Sequence, residues 1–128
     1  MSQQVWKTIN WVMLLAFAFG AIVQYNDPDP LAWILVYLGA GIATVLALLG
    51  SPRWEVAALV GAGSILWGLS IAPRVIGQVP FMSMFGAFEM KNIGIEESRE
   101  MYGLLMIGGW CVLLTLAALR LRRQARTT

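Results

Sequence analysis

Gln24-Tyr25-Asn26-Asp27-Pro28-Asp29-Pro30 stands between two apolar runs, residues 11–23 and 31–49, and the reading of this heptapeptide decides the fold. Each of its residues is polar or breaks helices, in a chain that is 59% hydrophobic and only 12% charged. Asp29 suits an N-cap, because its carboxylate accepts from the free N–H groups of a helix start. Pro30 suits the first helical position, where its missing donor costs nothing. The stretch therefore ends one apolar helix and opens the next.

Outward from this hinge, the chain falls into four apolar segments. With 128 residues and a mean hydropathy of +0.70, it carries more apolar surface than a soluble domain of this size can bury. The lipid bilayer is the natural solvent, and four spans of about 20 residues leave no room for a separate soluble domain. The expected spans are residues 5–25, 31–49, 54–71 and 101–119, forming a single all-α domain over residues 1–128. The first also loosely fits a cleavable signal, with Lys7 ahead of an apolar run ending in small residues. Trp6 and Trp11 read better as interfacial anchors of a retained helix. Gly50-Ser51-Pro52-Arg53 is a turn too short to do anything but reverse the chain. Gly39, Ala43 and Ala47, then Ala57 and Gly61, then Ser64 and Gly68, recur at the four-residue spacing that lets helices approach closely in lipid.

Residues 72–92 are neither a clean span nor a polar loop. Pro80 can open a helix in which Phe81, Met84, Phe85 and Phe88 share one apolar face. A helix over residues 80–90 rises only about 16 Å, too little to cross the hydrocarbon, so it is expected to lie in the interface over the bundle mouth. The fold expected is thus an integral membrane four-helix bundle with a short interfacial helix before the last span.

Charge sets the orientation and removes several classes of function. Six basic residues, Lys7, Arg53, Arg120, Arg122, Arg123 and Arg126, fall on the side of the termini, against Arg74, Lys91 and Arg99 opposite. Basic residues favour the cytoplasm, so both termini are expected there, in a plasma or bacterial inner membrane. Six of the seven acids, Asp27, Asp29, Glu89, Glu96, Glu97 and Glu100, then lie on the far side. The basic residues cluster as a stop-transfer signal and do not track a phosphate backbone, so nucleic acid is not a partner. There is no histidine, which removes histidine-ligated haem and histidine acid-base chemistry. Cys111 is the sole cysteine and sits in an apolar run, where it reads as a packing residue. No motif implies a cofactor.

The heptapeptide with Trp33 and Tyr37, together with Glu96, Arg99-Glu100 and Gly103-Leu104 at the fourth span, resembles the transmembrane protein 220 family. The resemblance covers the whole four-span layout, and the first motif is its specific part. It implies a small multi-span membrane protein whose outer polar motif matters to its role, and it carries no activity, substrate or cofactor.

Gln24, Tyr25, Asn26, Asp27, Asp29, Trp33, Glu96, Glu97, Arg99 and Glu100 form the candidate site. Turn and cap chemistry, with Tyr25, Trp33 and Tyr37 in an aromatic belt, accounts for much of the pattern. It does not require two acids, nor Gln24 inside the end of a span, where an unpaired amide is expensive. Arg99 and the neighbouring acids are the available partners. The expected function is a non-catalytic accessory or interaction protein, associated with the bilayer and with a membrane-protein partner or a second copy. The alternatives are capture or transport of a small ligand or cation at the acids, and, less favoured, a carboxylate-based membrane enzyme.

Overall fold

In the computed structural model, which describes residues 2–23, 30–77 and 93–127, the chain is a four-helix bundle. The helices are α1 (Gln3–Val23), α2 (Pro30–Leu48), α3 (Trp54–Val75) and α4 (Ile93–Thr127). All four are long and apolar enough to cross a membrane. Residues 80–90, where the short interfacial helix is expected, lie outside the described residues.

Each boundary has a local cause. Pro30 opens α2, as its fixed φ and absent N–H favour. At the other end, Gly50 at φ 79 donates to the Ala47 carbonyl at 3.2 Å and Ser51 to that of Leu46 at 3.0 Å. This is a Schellman closure, which needs a left-handed residue that glycine supplies without strain. α3 runs past the apolar stretch to Val75, with Pro73 in its last turn. There a proline removes only one ladder bond, and Gly77 at φ 80 follows the end. α4, at 35 residues, extends well beyond residues 101–119. At 1.5 Å per residue it is about 52 Å long, against a hydrocarbon core of about 30 Å, so helix projects from lipid at its ends.

The α3–α4 pair packs most closely, α1 packs on α2, and α2 is the element that joins the two hairpins. Small residues set the α3–α4 approach: a Cβ on Gly61 would meet Cys111 Cβ at 3.0 Å, and one on Gly68 would meet Leu104 Cβ at 3.4 Å. Ala57, Gly61, Ser64 and Gly68 are all buried, one residue per turn of α3. Two apolar clusters fill the interior. One joins Phe17, Ala40, Ala43, Ala57, Ile107, Trp110, Cys111 and Leu114 from all four helices. The other, nearer Pro30, joins Trp33, Ile71, Val75, Met101 and Leu104. Large apolar side chains also cover the outside, with Leu59 77% exposed and Phe19 68%, which suits lipid and not water.

Candidate functional site

The register between α2 and α4 determines what can meet at the Pro30 end. The two helices run parallel. Trp110 Nε1 donates to Thr44 Oγ1 at 3.0 Å, and the Tyr37 hydroxyl lies 3.9 Å from where a Gly103 Cβ would be, the same offset of 66 residues in both cases. Carried outward by one and two turns, that register sets Trp33 level with Arg99, and Pro30 level with Glu96. The packing of Trp33 in one cluster with Met101 and Leu104 agrees with it. The start of α2 and the charged start of α4 therefore share one end of the bundle.

Among the expected site residues, Gln24, Tyr25, Asn26, Asp27 and Asp29 lie outside the described residues. Trp33 is 4% exposed, and its ring lies 4.6 Å from that of Trp67 with a 33° tilt. It is an interior wedge between α2 and α3, where its large ring contributes packing beyond simple burial. Glu96 and Glu97 fall in the first turns of α4, where their carboxylates suit the positive end of the helix dipole; their side chains are outside what is described. Arg99 and Glu100 follow, both half-buried. Neither is without a partner, and the same holds for Arg74 and Tyr102. A charge at this depth is tolerated only when paired or reaching water, so this layer couples α4 to its surroundings.

Tyr37 lies directly beneath. Its ring covers Gly20 of α1, where a Cβ would come within 2.6 Å of Tyr37 Cε1, and it is 6.4 Å from the ring of Phe17. One aromatic side chain of α2 thus spans from α1 to α4. It also borders an apolar groove of about 310 Å³ between α1 and α2, with Leu14, Ala18 and Gly41 among its walls.

Toward the other end, the structure buries polar side chains of which sequence reading took only Ser64, as a small packing residue. Asn10 is 1% exposed and donates Nδ2 to the Trp6 carbonyl at 2.8 Å, while its Oδ1 has no partner among the described residues. Thr44 is fully buried and gives its hydroxyl proton to the Ala40 carbonyl at 2.8 Å, leaving lone pairs for Trp110. Trp110 in turn stacks on Trp6, with centroids 5.6 Å apart. Ser64 Oγ is buried and likewise unpartnered among the described residues. The available signal was that Asn10, Thr44 and Ser64 each stand within a predominantly apolar span, where a polar group that finds no water turns to the bundle interior.

Comparison with known proteins gives one consistent answer. A family model described as transmembrane family 220, helix, matches residues 16–116. A Xenopus laevis protein named transmembrane protein 220 is 34% identical over 116 residues, covering 87% of this chain and 59% of the relative. The chain thus spans about three fifths of the length of that relative. No solved structure matches.

Proposed function

Because the chain belongs to transmembrane family 220, a family of multi-pass membrane proteins, we propose that it acts as a non-catalytic bundle, an accessory or interaction protein. Its working surface is the charged rim at the Pro30 end: Gln24, Tyr25, Asn26, Asp27 and Asp29 from the α1–α2 connection, with Glu96, Glu97, Arg99 and Glu100 from α4. The observation that carries this is the parallel register of α2 and α4. Residue 29 is tethered to Pro30, and Pro30 is level with the first charged turn of α4. A rim that concentrates acids around one arginine suits a basic or polar segment of a neighbouring membrane protein. The arginine keeps the acids together when no partner is present. With the termini cytoplasmic, this rim faces away from the cytoplasm, and Trp33 supports it from below.

The experiment compares the full chain with Asp27→Asn and Glu100→Gln, each purified from its native membrane. Wild type should bring down a membrane protein in fixed proportion. Both variants should lose it while their unfolding midpoints in nanodiscs stay unchanged. If nothing co-purifies in fixed proportion and calcium or magnesium raises the wild-type midpoint instead, the rim is a cation site and the accessory reading falls.

A further inference from the structure

The opposite end of the bundle has a second polar feature, independent of the rim. A cavity of about 510 Å³ opens between the α2–α3 turn and α4, with Ser51, Arg53, Trp54 and Glu55 on one wall and Leu121 and Arg122 on the other. Arg53 and Arg122 come from different elements, and both side chains are exposed. They bring two cations to one opening.

Backbone donors point to the same place. Arg53 is the N-cap of α3, and no side chain among the described residues caps that helix start. The first ladder bond is from Ala57 N to the Arg53 carbonyl at 3.3 Å, so the N–H groups of Trp54, Glu55 and Val56 precede the ladder. In addition, the buried indole N–H of Trp54 has no acceptor among the described residues. Two guanidinium groups at one opening and a helix start without a side-chain cap form a surface for an oxyanion.

The height of the cavity identifies the carrier of that oxyanion. α2 ends at Leu48, α3 begins at Trp54, and the apolar residues Ala118 and Leu121 of α4 line the cavity just before Arg122. This is the boundary between hydrocarbon and water, where lipid phosphates sit and where an apolar wall beside the arginines accommodates the glycerol and upper acyl chain. We infer that this cavity binds the headgroup phosphate of an anionic phospholipid, held by Arg53, Arg122 and the first turn of α3. Glu55 occupies the same wall and offsets one of the two cations. It weakens the site without cancelling it.

The test uses the full chain in nanodiscs of phosphatidylcholine, and of equimolar phosphatidylcholine and phosphatidylglycerol, with native mass spectrometry to count retained lipids. Wild type should retain phosphatidylglycerol over phosphatidylcholine. The pair Arg53→Gln and Arg122→Gln should lower that affinity about 25-fold, two cationic contacts at about fivefold each. Removing the same charge from the helical tail with Arg123→Gln and Arg126→Gln should leave most of the preference in place. Equal losses in the two double variants would reduce the effect to diffuse surface charge and overturn the site. So would a wild type that does not distinguish the two lipids. If inorganic phosphate binds wild type while phosphatidylglycerol gains no preference, the ligand is a soluble anion and the lipid assignment fails. Should the glutamine pair misfold, Arg53→Lys with Arg122→Lys must keep the preference and Glu55→Gln must strengthen it. Failure of either result overturns the proposal.

Discussion

Thr44 serves two partners with one oxygen, donating to Ala40 in its own helix and accepting from Trp110 of α4. In lipid no water replaces a lost partner, yet single interhelical hydrogen bonds are modest, averaging about 0.6 kcal/mol and reaching about 1.7. Thr44→Val keeps the shape and removes the acceptor, leaving a buried indole N–H unsatisfied. It should destabilise the bundle by about 1 kcal/mol, while Thr44→Ser should recover most of that. Unfolding in mixed micelles, followed by tryptophan fluorescence, makes the comparison. A valine variant that melts with wild type would show that Trp110 is held by its stacking on Trp6 alone. Asn10, one turn from Trp6, is the other half of this polar layer. It is an unusual residue to bury in a span, because its Oδ1 remains unpartnered among the described residues.

Among the elements, the α3–α4 hairpin is governed by close backbone approach. Gly61 faces Cys111, whereas Gly63, two residues on, is exposed and a Cβ there would meet nothing within 4 Å. Gly61→Val should push the helices apart at a cost of about 1 to 3 kcal/mol, the usual range for overpacking. Gly63→Val, the same change on the lipid side, should be neutral or gain roughly a few tenths of a kcal/mol from helix propensity. Equal midpoints for the two variants would remove the glycine seam as the determinant of this pairing. The small-residue spacing on α3 was readable from the chain, since lipid offers no hydrophobic drive and leaves close packing as the main signal. Its partner was not, because Gly108, whose Cβ would meet Ile65, belongs to no repeating pattern of its own. The four helices were visible because each is an apolar run between turn residues. The full length of α4 was hidden because hydropathy falls where Glu96, Glu97, Arg99 and Glu100 begin, although those residue types extend a helix readily. Trp33 shows the limit at the candidate site. A tryptophan three residues into a span reads equally as belt, ligand contact or core, and only its packing on Trp67 and Met101 separates them.

For the whole molecule, orientation decides which compartment each end meets. A four-helix bundle returns its N-terminus to the side of its C-terminus, so the two share one charge count. Arg120, Arg122, Arg123 and Arg126 lie on the exposed last turns of α4, and Lys7 and Arg53 share that side. Arg74 lies in the last turn of α3 at the opposite side, and Arg99 is half-buried there. Since positive charge near span ends resists translocation while acids contribute little, the cluster at the end of α4 should dominate and hold both termini in the cytoplasm. A reporter active only in the cytoplasm should work when fused after Thr128 and fail when inserted beside Pro28. Replacing the four arginines of α4 by glutamine should weaken or mix that outcome, because the remaining basic residues then balance more evenly across the bilayer. The reverse pattern in the unaltered chain would place the acidic rim in the cytoplasm and any partner of that rim with it, while the two-arginine cavity would face the other leaflet.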